Sequence, residues 1–267
     1  MSLEYSSLTT SKIHKITYKY DLWRGFFEGV MSSGIQTFAL FIAIRYYNAG
    51  EGIKSLIAAA PFIGMILSLP FVHYTAGKGL KKSWCSAVPS AFASVCLIIG
   101  AWVPSLEFYA LMISVSYICR SAAIPFLTSI YSDNYPHNKR GKSFSKPLLL
   151  TVAISSLFGL AGSLLLEINI IYFNWVFTLV GICALAKAWA ISSMPSKEIE
   201  KNSHNHPFGS FGYIIKDREF GYVLFTWFIM GFANLWVLPL RVDYVASSSY
   251  GIEASPVIVA LIITIIP

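Results

Sequence analysis

Charge is what this sequence has least of. Asp, Glu, Lys and Arg make up 12% of its 267 residues, about half the share of an ordinary soluble domain, which argues against a globule surrounded by water. Catalytic motifs are missing too. No HExxH helix, no GxSxG elbow and no paired intramembrane His or Asp occurs, so hydrolysis and group transfer lack their usual groups. No GxxxxGK followed by Ser or Thr is present to cradle a nucleotide phosphate, and direct ATP drive is not expected. The chain therefore reads as a non-enzyme that needs no cofactor and no metal. Its four cysteines, Cys85, Cys96, Cys119 and Cys183, stand singly in apolar runs without CxxC spacing or a His partner, which suits packing rather than ligation or disulfides. The polar N-terminal stretch shows no short apolar core followed by a small-residue cleavage site, so no cleavable signal peptide is expected.

What is abundant is apolar and aromatic. Hydrophobic residues reach 55% and mean hydropathy is +0.61. Runs long enough to cross about 30 Å of hydrocarbon at about 1.5 Å per residue fall near 22–46, 54–75, 84–104, 107–130, 147–167, 169–193 and 219–246. An eighth begins near 255 and stops at Pro267, too short to cross. The runs are continuous rather than alternating, which excludes a transmembrane barrel. The expected fold class is all-α, a polytopic membrane helical bundle with the lipid bilayer as its first partner. Trp23, Tyr46, Tyr47, Trp84, Tyr131, Tyr172 and Tyr244 lie near segment ends, where amphipathic rings settle at headgroups. The pI near 9.2 does not point to nucleic acid, because the basic residues recur in short loops instead of forming one face.

Those loops are unequal. The N-tail carries Lys12, Lys15, Lys19 and Arg24, loop 2–3 carries Lys78, Lys81 and Lys82, and loops 4–5 and 6–7 carry four basic residues each. The opposite side has Arg45, Lys54 and Arg241 alone. The positive-inside bias puts the N-terminus in the cytoplasm of a multi-pass inner or plasma membrane protein. The organisation that follows is an N-tail (1–21), a six-helix transmembrane domain (22–193), a cytoplasmic linker (194–218) and the start of a second transmembrane half (219–267). His204 and His206 lie in the linker, where solvation is the plainer reading than metal binding.

One residue breaks the apolar pattern. Arg120 sits midway along span 4, and a charge at that depth costs about 3 kcal/mol unless it meets a cavity or a partner. Glu28 in span 1 lies a turn or two from the cytoplasmic end. The two depths differ by about 5–7 Å at the helical rise, so the side chains can meet in one central cavity, where a substrate anion or a proton could compete for the pair. Gly25 and Gly29 flank Glu28 and allow a helix or solute to approach. Gln36 and Asn234, within spans 1 and 7, are further candidate contacts for solute, with helix–helix hydrogen bonding as the alternative. Lys187, near the end of span 6, is expected to snorkel to the interface. Arg241 and Asp243 stand close to the outer mouth of span 7, open to either a gating or a solvated role.

Six spans, a long linker and a restart resemble the major facilitator superfamily. Loop 4–5, YSDNYPHNKRGKSFS, is similar to the family's Pro-x-x-x-Arg-Gly signature through Pro136, Arg140 and Gly141. Arg120 looks like the helix-4 arginine of its proton-coupled members, and KDREFGYVLFTWF looks like the start of helix 7. In loop 2–3, TAGKGLKKS keeps Gly79, Lys81 and Lys82 of the family pattern but has Ala76 where its Asp would fall. Helix 5 lacks the Gly-Pro of drug antiporters, while Ser155, Gly159 and Ser163 still place small residues four apart for close helix contact. A short internal echo, Arg45 followed by GIKSLIAAAP and Arg241 followed by GIEASPVIVA, fits the two repeats of that architecture.

The resemblance implies a secondary active transporter that moves a small solute by alternating access, with protons or another ion as candidate coupling partners. It implies gating roles for the residues of loops 2–3 and 4–5. Because the apolar run stops inside span 8, the chain is expected to be incomplete. The alternative is a half-length membrane protein that transports nothing, either an inactive remnant or a partner subunit.

Overall fold

The computed structural model describes residues 5, 9–199, 212, 216–247, 251–252 and 254–265, and of these the side chains of 233–239, 264 and 265 lie outside the description. Among the described residues the regular elements are helices, with no strand. Six of them are long and apolar enough to cross a membrane: α1 (Thr10–Arg45), α2 (Glu51–Thr75), α3 (Lys82–Trp102), α4 (Leu106–Asn134), α5 (Arg140–Ile168) and α6 (Ile170–Ser192). Two follow, α7 (Arg218–Ala246) and α8 (Pro256–Ile265). His204 and His206 lie outside the described residues.

Helix α1 begins at Thr10, twelve residues before the expected start at 22. The N-tail looked polar, yet Ile13, Thr17, Asp21, Gly25 and Gly29 recur every fourth residue and are all buried. A buried stripe at that spacing is one helix face, and it packs along α5 and α6. A Cβ added at Gly25 would lie 2.7 Å from the Pro147 carbonyl oxygen, and one at Gly29 would lie 2.7 Å from both Ile154 Cβ and the Thr151 carbonyl oxygen. The two glycines are therefore the reason α1 and α5 come together closely, as small residues permit in lipid. Thr151 Oγ1 tightens the contact by donating to the Gly25 carbonyl at 2.9 Å.

Two helices are interrupted, each for a local reason. Between Gly34 and Ala39, α1 widens into a π-turn, which changes the carbonyl register, and two tyrosines of α4 occupy the backbone there. Tyr117 Oη donates to the Ile35 carbonyl at 3.0 Å and Tyr109 Oη to the Ala39 carbonyl at 2.9 Å. Helix α4 breaks at Ala123, because Pro125 has no N–H to return to the preceding turn.

The remaining packing is an up-and-down bundle. Helix α3 lies along α6 and α4, α2 lies along α4, and α8 lies against α5. A core of Phe38, Phe41, Phe173, Phe177 and Tyr109 fills one end. Outward faces are apolar instead of charged: Val88, Phe92, Val95, Ile99 and Trp102 form one exposed stripe on α3, and Trp175, Leu179, Ile182 and Trp189 another on α6. Such stripes would be a liability in water and cost nothing against lipid tails.

The basic loops gather at one end. Lys82 Nζ reaches Asp133 Oδ2 at 2.7 Å, Ile199 N–H donates to the Leu80 carbonyl at 3.0 Å, and Asn134 Nδ2 donates to Thr17 Oγ1 at 2.8 Å. At the opposite end the rings of Tyr46, Tyr47, Tyr109 and Phe173 meet in tilted and edge-to-face contacts, with centroids 4.7–6.3 Å apart.

Candidate functional site

Helices α1, α4 and α6 bring three charges into contact inside the bundle. Arg120 Nη2 donates to Glu28 Oε1 at 2.6 Å, and Lys187 Nζ lies 2.5 Å from Glu28 Oε2. Each carboxylate oxygen thus has its own cation. The expected pairing of Glu28 with Arg120 forms directly. Glu28 is nevertheless in mid-helix, not a turn or two from an end, because α1 starts so early.

The snorkelling expectation for Lys187 is overturned. Its side chain is 6% exposed and turned inward, with Met31 Sδ 3.7 Å from the ammonium. Small residues explain the direction: Ala184 and Ala188 flank it on the buried face of α6, and this gap lets the lysine stem run toward α1.

Two turns before Glu28, a second cluster around Asp21 had no counterpart in the sequence reading. Asp21 is fully buried, and its carboxylate accepts from Arg24 Nε at 2.6 Å, Tyr131 Oη at 2.6 Å and Tyr135 Oη at 3.0 Å. Arg24, which the sequence grouped with the cytoplasmic tail, lies 5.9 Å over the Tyr131 ring. The legible signal was the four-residue spacing of Ile13, Thr17 and Asp21, which carries the helix well before the apolar run.

A cavity of about 570 Å³ opens beside these groups, lined by Arg24, Glu28, Arg120 and Lys187. Gln36, which sits within the π-turn, also lines it, together with Tyr117 and Ser90. Much of the remaining wall is apolar, with Ile57, Phe62 and Met65 from α2 and Ile191 from α6. Arg241 of α7 and Ile263 of α8 face the same space. The volume falls within the range of about 300–1,000 Å³ usual for small-molecule sites. Asn234 belongs to α7, but its side chain lies outside the described residues.

The loop residues do not line the cavity; they knit the basic end. Lys81 pairs its backbone with Glu198, and Lys82 takes Asp133 of α4 as its carboxylate. Gly79 has φ +66°, a left-handed turn that favours glycine. Arg140 Nη2 donates to the Ser132 carbonyl at 3.1 Å, and the Pro136 carbonyl accepts from Lys139 N–H at 2.9 Å. Gly141 has open space around it.

At the far end, Lys54 Nζ lies 2.8 Å from Asp243 Oδ1 and 3.0 Å from Glu51 Oε1. Arg45 Nη2 donates to the Ala254 carbonyl at 2.7 Å. These contacts tie the ends of α1 and α2 to α7 and the segment before α8. Among the described residues no three His, Cys, Asp or Glu side chains converge as metal ligands. Comparison with known proteins finds no family model that matches the chain and no match among curated proteins.

Proposed function

We propose that the chain is a secondary active transporter of the major facilitator type, moving a small solute by alternating access with a proton or another ion as the coupling partner. The observation that carries this reading is the Arg120–Glu28–Lys187 cluster on the wall of the 570 Å³ cavity. Intramembrane charges are costly and mark solute or ion paths when they face a cavity. A carboxylate shared between two cations is also a bistable element: a proton on Glu28, or an anion on its partners, releases one arrangement for another.

The far-end contacts support the two-repeat part of the proposal. Arg45, at the end of α1, reaches the stretch after α7, while Lys54, in the stretch after α1, reaches Asp243 at the end of α7. Each partner of the internal echo thus contacts the other's counterpart region, the reciprocity expected across a pseudo-two-fold axis. The excess of Lys and Arg at the basic end orients that end, and the N-terminus with it, toward the cytoplasm.

The test is flux in proteoliposomes that enclose a pH-reporting dye, challenged with a panel of small organic solutes. Solute-dependent proton movement that is lost in Glu28→Gln and reduced in Arg120→Lys is expected. Absence of flux for every solute and ion in the protein purified from its source membrane would contradict the proposal and favour a non-transporting membrane partner.

A further inference from the structure

The cavity wall has a surplus of positive charge, and its partners are unevenly satisfied. At the cluster, Arg24, Arg120 and Lys187 face Asp21 and Glu28, three cations against two carboxylates, and Arg241 of α7 lines the same cavity. Asp21 sits behind the wall with three donors on it. Glu28 divides one negative charge between two cations. Each guanidinium carries five N–H donors, and among the described residues Arg120 gives one to Glu28 and Arg24 gives one to Asp21. A buried cation without full compensation is costly, so the arrangement is best satisfied when one further anion enters.

We propose that the solute is an amphipathic organic monoanion, a carboxylate with an apolar body, whose head is held among Arg24, Arg120 and Lys187. The inference deepens the transporter proposal and rests on it. A carboxylate matches the forked donors of either arginine bidentately, and its negative charge offsets the surplus at the Arg24, Arg120 and Lys187 cluster. The body would lie along Ile57, Pro61, Phe62 and Met65 of α2 and Leu127 of α4. A neutral sugar would leave the surplus charge uncompensated and meet this apolar wall with its hydroxyls. An organic cation would meet repulsion. Glu28 competes with the solute for the same two cations, so solute entry and protonation of Glu28 favour each other.

The experiment is calorimetric titration of the purified protein, in nanodiscs of zwitterionic lipid, with straight-chain monocarboxylates from acetate to octanoate and with benzoate. Each acid is paired with its own amide, and inorganic phosphate serves as an ion control. Affinity should rise with the size of the apolar body, and each acid should bind at least tenfold more tightly than its amide. Glu28→Gln should tighten binding of the acids several-fold, because it removes the internal competitor, and Arg120→Gln should weaken it at least tenfold. Amides that bind as well as their acids would overturn the assignment on the unmodified protein alone. A Glu28→Gln protein that binds acids more weakly than wild type would overturn it as well. Uptake of labelled acid into proteoliposomes separates the two proposals: acid binding without flux keeps the anion site and overturns transport, and flux of neutral solutes without acid binding does the reverse.

Discussion

Replacing Gly29 by alanine adds one methyl group where α1 and α5 touch. The new Cβ would stand 2.7 Å from Ile154 Cβ and 2.7 Å from the Thr151 carbonyl oxygen, against 3.4–4 Å for ordinary contact. Neither neighbour is the end of a flexible side chain, so the helices themselves must part, at an overpacking cost of about 1–3 kcal/mol. Alanine also gains about 1 kcal/mol of helix propensity over glycine, which hides part of that cost. Gly52→Ala, in the first turn of α2 with nothing within 4 Å of its Cβ, collects at most that gain and no clash. The difference between the two variants therefore isolates the contact. At about 2–4 °C per kcal/mol for a chain of this size, Gly29→Ala should melt about 2–12 °C below Gly52→Ala in detergent. Shortening Ile154 to alanine should not rescue it, because alanine keeps the offending Cβ and the Thr151 carbonyl stays. Equal melting temperatures, or rescue by Ile154→Ala, would refute the close contact of α1 with α5.

Lys187→Met should abolish solute-coupled flux and destabilise the fold by up to about 3 kcal/mol, since it leaves one oxygen of a buried carboxylate unpaired; Lys187→Arg should restore melting temperature more than flux. Tyr117→Phe removes the hydroxyl that caps the Ile35 carbonyl in the π-turn and should cost about 1 kcal/mol, read as a lower denaturation midpoint. A reporter fused within the 194–218 linker should be active only as a cytoplasmic reporter; activity of a periplasmic or lumenal reporter there would reverse the orientation drawn from the basic loops.

The bundle was legible because a membrane demands about 20 apolar residues in a row, and α2, α3, α4 and α6 follow those runs closely, while α5 begins at Arg140, seven residues before the expected 147, within what read as loop 4–5. The meeting of Glu28 with Arg120 was legible from depth alone, since helical rise converts sequence position into height. Lys187 was not. Its distance from the end of α6 suits a snorkelling side chain as well as a buried one, and only the neighbouring helix decides between them. Asp21 and Arg24 were hidden by composition: TTSKIHKITYKYD averages as polar, while its buried face is a single row at four-residue spacing. The π-turn left no sequence mark, although it holds Gln36, because its carbonyls at Ile35 and Ala39 accept from tyrosines of α4 that are distant in sequence.

The most direct test of alternating access is the two-sided reach of a reagent to Gln36. In a background with Cys85, Cys96, Cys119 and Cys183 replaced by serine or alanine, Gln36→Cys is reacted with a membrane-impermeant thiol reagent from each side of oriented vesicles. Labelling from both sides, with solute protecting against both, is the result the account predicts. Labelling from one side only, unchanged by any solute or by Glu28→Gln, would contradict it.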